Sequence, residues 1–135
     1  MSGDWAHENM RADAQNQRPP DGKTKRICLV VLGMHRSGTS ALTRVLSLLG
    51  AKLPATLNAP GGGNELGLWE PERLIQLDDR ILEELGSSWR DWRPLDLSRV
   101  TRSRRAEFKL EIADIVAAEF GDAPMIVIKE PRLCR

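Results

Sequence analysis

With 135 residues, 41% of them apolar and 29% charged, the chain is of single-domain size and carries enough hydrophobic material for one modest core. Twenty Lys and Arg against nineteen Asp and Glu leave a formal net charge of +1, so nothing in the balance calls for a nucleic acid or an anionic membrane as partner. Cys28 and Cys134 stand far apart, with no CxxC pair and no histidine at a ligand spacing, which argues for two reduced thiols against a disulfide or metal site.

Residues 1–24 are polar and aperiodic and end in Pro19-Pro20-Asp21-Gly22, the composition of a flexible leader. They contain no apolar signal-peptide core, and the longest apolar run, residues 27–32, is too short to span a bilayer; the expectation is a cytoplasmic protein without a membrane span. From residue 25 the character changes. ICLVVL is a continuous β-branched and apolar run that suits a strand buried on both faces of a parallel sheet.

Next comes the stretch LGMHRSGTS, in which Gly33 and Gly38 bracket four residues at the spacing of a mononucleotide loop, but Thr39 stands where that loop has its lysine. Ala41, Leu42, Val45, Leu46, Leu48 and Leu49 follow at helical spacing, with Gly50 as a stop. The long Gly/Pro-rich connector over 51–69 is either a solvent-exposed link or the rim of a site. A second helix is predicted over 71–85, with Leu74, Ile75, Leu77, Ile81, Leu82 and Leu85 as its stripe and Gly86 as its end. A third, over 100–120, is predicted to bury Phe108, Ile112, Ile115, Val116 and Phe120 before Gly121. MIVIK, residues 125–129, reads as another buried strand. Two doubly buried strands need further strands and covering helices, so the α/β domain over 25–135 is expected to be incomplete in this chain, the N-terminal part of a longer protein.

A glycine-rich turn that leads from a strand into a helix gathers backbone N–H donors, and the helix dipole adds to their attraction for phosphate or sulfate. Arg36 is the cation of this loop, and Ser37, Thr39 and Ser40 add hydroxyl donors. Arginine offers a fork to two oxyanion oxygens but holds its proton, so its part would be electrostatic. An ATP or GTP enzyme would lack the lysine that reaches the β- and γ-phosphates.

LGMHRSGTS resembles the 5′-phosphosulfate loop of the sulfotransferases, whose cytosolic members carry a Lys-Ser-Gly-Thr-Thr core; Arg36-Ser37-Gly38-Thr39-Ser40 matches it with arginine for lysine. The likeness continues through GNELGLWEP (63–71), LGSSW (85–89) and IKEPR (128–132), which are similar to the bacterial sulfotransferase-like group, and covers about residues 26–135. It implies a P-loop NTPase-like α/β fold, a three-layer parallel sheet with flanking helices. It also implies transfer of a sulfuryl group from 3′-phosphoadenosine 5′-phosphosulfate to an acceptor hydroxyl or amine, with no metal.

On this resemblance Gly33, His35, Arg36, Ser37, Gly38, Thr39 and Ser40 would hold the donor's 5′ end, His35 by shaping the loop or touching phosphate. Glu70, before Pro71, stands where family members carry their base, although an acid at a helix start is also favoured by the dipole alone. Glu65, Asp78 and Asp79 are poorer candidates. Lys129 leaves the second strand at the edge where open α/β sheets bind ligands, and with Arg132 it forms the second catalytic and donor-contacting set; a strand end salt-bridged to Glu130 is the structural alternative. Arg99, Arg102, Arg104 and Arg105 read as a solvated helix start, and Trp89 and Trp92 as core or rim packing. The resemblance puts the 3′-phosphate grip on a later strand and helix past residue 135, so little or no activity is expected of this chain alone. The acceptor is not legible: carbohydrate, lipid, small metabolite and peptide stay open. Two other readings of the loop remain at this stage, a kinase or NTPase with a degenerate P-loop and a non-catalytic anion-binding module.

Overall fold

The computed structural model describes residues 25–34, 36–60, 65 and 67–134; the leader, His35 and part of the 51–69 connector lie outside the described residues. Two five-residue strands, β1 (Ile27–Val31) and β2 (Met125–Lys129), pair in parallel, in register from Ile27 opposite Met125 to Val31 opposite Lys129. Between them run α1 (Thr39–Leu48), α2 (Glu72–Glu84) and α3 (Arg102–Phe120). The architecture is mixed α/β around a small parallel sheet.

Successive strand residues point to opposite faces, and the two faces of β2 carry separate clusters. Ile126 and Ile128 pack with Leu74, Leu77, Phe108, Ile115 and Phe120 of α2 and α3. Val127 packs with Val31 and Ala51, against which Leu46 of α1, Leu53 and Met125 also lie. Helices therefore cover both faces of β2, as a buried parallel strand requires.

β1 departs from the expectation of burial on both faces. Only Val31 of the strand is buried, while Ile27 is 55% and Val30 49% exposed. The physical reason is position: among the described strands β1 has one neighbour, and α2 and α3 are seated over β2. α1 differs in the same direction. Its apolar residues recur at helical spacing, yet the helix buries Thr39 and Thr43, with Leu42, Val45, Leu48 and Leu49 at least half exposed. Burial of Thr43 is tolerated because its hydroxyl donates to the Thr39 carbonyl at 2.8 Å.

The other two helices begin and end where their sequence signals lie. α2 follows Pro71 and ends at Gly86, which has φ +70°; the Ser87 N–H donates to the Leu82 carbonyl and the Gly86 N–H to that of Glu83, a Schellman closure. α3 is capped by Thr101, whose hydroxyl accepts from the Arg104 N–H at 3.2 Å. Ile112, expected in its buried stripe, is 38% exposed. Two arginines at the start of α3 are occupied structurally: Arg104 pairs with Glu84 and Glu107, and Arg105 donates to the carbonyls of Leu97 and Val100.

The connector after α1 is anchored at two points. Lys52 bridges to the free side of β2 through N–H···O bonds with Met125 and Val127, both 3.0 Å. Further on, Leu57 and Pro71 form an antiparallel bridge, with the Asn58 N–H on the Glu70 carbonyl at 2.8 Å. Glu119, 3% exposed, holds this bend: it accepts from the Thr56 N–H (2.7 Å) and hydroxyl (2.9 Å) and lies 3.5 Å from Arg73. Burial works to raise its pKa, but the Thr56 donors and Arg73 outweigh burial and hold the carboxyl below its ordinary range. A depressed carboxyl contributes stability above its unfolded value and loses it as the pH falls through the folded one. Glu119→Ala is therefore expected to lower the unfolding free energy at pH 7 by about 1–3 kcal/mol, read as a lower urea midpoint at unchanged m-value, with the gap to wild type closing on acidification. An equal gap at pH 7 and pH 3 would count against the pin.

Candidate functional site

The segment from β1 to α1 is shaped by three backbone requirements. At Gly33 a Cβ would lie 2.8 Å from the Thr39 methyl and 2.9 Å from the Ser37 hydroxyl, so a side chain there would have to displace one of these two. Arg36 has φ +67° and Gly38 φ +87°, left-handed positions on either side of Ser37. The Ser37 side chain and N–H both donate to the Met34 carbonyl, at 2.6 and 3.3 Å, which holds the bend. At the start of α1 no side chain caps the helix and no acidic residue stands in the first turn. Those N–H groups and the dipole are thus not countered by a carboxylate from the helix itself.

Beside this helix start, the chain brings together two residues 59 positions apart. Lys129, at the end of β2, and Glu70, before Pro71 and α2, form an ion pair of 2.5 Å, and each residue is 4% exposed. The Lys129 ammonium also donates to the Leu68 carbonyl at 3.0 Å and to the Ser40 hydroxyl at 3.4 Å, and Ser40 in turn reaches the Leu68 carbonyl at 3.4 Å. The three donors of the ammonium therefore each have a partner, the contact to Ser40 being the longest. Between Leu68 and Glu70, Trp69 has φ +58°, which for an aromatic residue is an outlier with a cost of about 1–3 kcal/mol. Its ring lies 5.0 Å beneath the Arg44 guanidinium of α1. The two non-glycine left-handed residues of the described chain, Arg36 and Trp69, thus both belong to this region.

A second charge cluster lies on the α2 side. Glu130 is fully buried; its Oε1 accepts from the Arg132 N–H and guanidinium at 2.9 and 3.0 Å, and its Oε2 has no partner among the described residues. Arg132 also grips Asp79 at 2.6 and 3.2 Å. Burial raises the Glu130 carboxyl against the pull of Arg132. Neighbouring Asp78 is pushed up to about 7, first by burial and then by the charge of Glu130, with Arg132 acting in the opposite sense.

Of the residues singled out from sequence, Ser40, Glu70 and Lys129 meet in one contact set, with the loop of Gly33, Arg36, Ser37, Gly38 and Thr39 leading into it. Arg132 is engaged with Asp79 and Glu130. The strand-end salt bridge to Glu130 thus exists, but it belongs to Arg132 and not to Lys129. Sequence reasoning passed over Trp69, whose only signal is its place before Glu-Pro, and Cys134, whose sulfur accepts from the Gly33 N–H at 3.2 Å. Among the described residues no group of three or more His, Cys, Asp and Glu is arranged to hold a metal, and no helix is long and apolar enough to cross a membrane. Comparison with protein-family models, with curated proteins and with solved structures gives no match.

A carboxyl raised by the fold favours folding below its unfolded pKa, and that contribution is lost as the pH climbs through the folded value. For Asp78 the window runs from 3.8 to about 7. Asp78→Asn removes the proton uptake, so the variant is expected to lose less stability than wild type across this window, read from urea midpoints at pH 5 and pH 8. In wild type, the Asp78 side-chain carboxyl resonance should titrate with a midpoint near 7, and Glu130→Gln should shift it downwards. A midpoint near 4 in wild type would contradict the assignment.

Proposed function

We propose that this chain carries the donor-binding half of a sulfotransferase site, in a P-loop NTPase-like α/β domain. The observation that carries the reading is the buried Glu70–Lys129 pair in contact with Ser40, at the helix start that the glycine loop feeds. A buried ion pair seldom stabilises a fold more than apolar residues of the same size would, so its presence beside an uncapped helix start points to use.

The donor, 3′-phosphoadenosine 5′-phosphosulfate, supplies the sulfuryl group. The uncapped N–H groups at the start of α1, the Arg36 fork and the hydroxyls of Thr39 and Ser40 suit the oxygens of its 5′ end. The long Ser40 contacts, 3.4 Å each, are the ones an incoming oxyanion displaces most readily. In the transfer an acceptor oxygen bonds to sulfur as the bond from sulfur to the 5′-phosphate oxygen breaks. Glu70 takes the acceptor proton and so loses its charge. Lys129, released from its partner, turns its charge to the leaving phosphate oxygen. One proton movement thereby serves both ends of the reaction.

Calorimetric titration with adenosine 5′-phosphosulfate, adenosine 3′,5′-bisphosphate and ATP with Mg²⁺ tests this reading. Arg36→Ala and Lys129→Met are each expected to weaken phosphosulfate binding about tenfold or more, the scale of one charge-assisted hydrogen bond. Glu70→Gln removes a negative charge from the ammonium's side and should leave binding equal or tighter. Preference for ATP with Mg²⁺, or phosphosulfate binding indifferent to Arg36, would sink the proposal.

A further inference from the structure

We propose that the cleft beside the glycine loop is a binding site for an aromatic ring that carries an anionic substituent. The cleft, of about 240 Å³, is lined by Met34 of the loop, by residues 89–92 of the segment after α2, and by Pro131, Arg132 and Cys134 of the turn after β2. A cavity of about 150 Å³ suffices to hold benzene, so there is room for one or two fused rings. Cys134 ties this wall to the loop through the Gly33 N–H, so whatever lies in the cleft lies at the loop's mouth.

The lining decides the ligand chemistry. Trp92 is 87% and Met34 71% exposed, and with Trp89 they turn an indole pair and a thioether towards one hollow, where scattered apolar residues would need no explanation. Flat faces of this kind stack on other rings. The polar groups around them are almost all engaged. The Asp91 carboxylate is held by Arg93 at 2.7 to 3.2 Å and is 14% exposed. The Arg132 guanidinium is taken by Asp79 and Glu130. Arg90 is the exception: its guanidinium sits 4.8 Å over the Trp89 ring and has no carboxylate partner among the described residues.

The cleft therefore offers carbon, sulfur and a cation, with scarcely an acceptor to spare. A pyranose brings several hydroxyl donors, for which this lining supplies few acceptors. An aryl anion has no such debt: its ring covers Trp92 and its charge meets Arg90. Binding as such is independent of the reaction; describing the ring as the acceptor rests on the sulfuryl-transfer reading.

The test is titration of the full chain with 2-naphthoate, followed by ligand-observed NMR, with methyl β-D-glucopyranosiduronate as the sugar-acid control. Saturable naphthoate binding is expected, weakened about tenfold or more in Trp92→Ala and in Arg90→Ala, with the glucuronide at least tenfold weaker in wild type. Trp92 is a surface residue, so an unchanged urea midpoint shows that the variant is folded. Absence of saturable naphthoate binding, equal binding in wild type and Trp92→Ala, or a preference for the glucuronide overturns the proposal. Adenosine 5′-phosphosulfate is titrated into the same samples. If naphthoate binds through Trp92 and Arg90 while the phosphosulfate does not bind, the aryl site stands and the transfer reading falls; the reverse result separates them the other way.

Discussion

The buried pair of Glu70 and Lys129 sets the terms for most of what surrounds it. Taking a carboxylate and an ammonium out of water costs several kcal/mol per ion, which is recovered only when the geometry is close and the remaining donors are satisfied. Lys129 meets this condition through Glu70, the Leu68 carbonyl and Ser40, so the end of β2, the 68–70 segment and the start of α1 must be held against one another. Features that look unrelated serve this end. The Leu57–Pro71 bridge fixes the backbone of Glu70, the Glu119–Thr56 contacts hold the bend leading to it, and Arg44 backs the strained Trp69.

Lys129 and Glu130 are neighbours in sequence and enter different charge clusters because a strand turns successive side chains to opposite faces. Lys129 continues the row of Met125 and Val127, on the side of α1 and the glycine loop. Glu130 continues the row of Ile126 and Ile128, on the side of α2, where Asp79 and Arg132 complete its cluster. The first cluster has a partner for each donor of its ammonium. The second holds more acid than base: Glu130 and Asp79 share Arg132, and Asp78 is pushed up to about 7 beside them. One dipeptide thus feeds a balanced pair at the loop and an acid-rich cluster behind it.

Legibility in the sequence followed how completely each element is enclosed. MIVIK is covered by helices on both faces, and its reading as a buried strand matches the residues that form β2. ICLVVL has the same composition but an open side, and composition does not reveal which of two similar runs lies at an edge. Caps and stops were readable because they are local: Pro71 and Gly86 bound α2, and Gly121 ends α3. The face of α1 was not: Thr39 and Thr43 stand at helical spacing as the leucines do, and it is the threonines that are buried. For the candidate site, residue types pointed to Glu70, Lys129 and the loop separately. That two of them form one ion pair depends on a contact spanning 59 positions, for which periodicity carries no signal.

Strain gives a further reason to treat the loop and the ion pair as one unit. Arg36 and Trp69 each occupy a left-handed conformation that costs about 1–3 kcal/mol, and neither can relax without moving a charged group of the region. Relaxing Arg36 would disturb the bend that Ser37 closes on the Met34 carbonyl, and relaxing Trp69 would shift Leu68 and Glu70, two of the three partners of Lys129. The cost is met before any ligand arrives. Under the proposed reading, this preorganisation lets an oxyanion bind by exchanging the long contacts of Ser40 for short ones, without first ordering the chain that receives it.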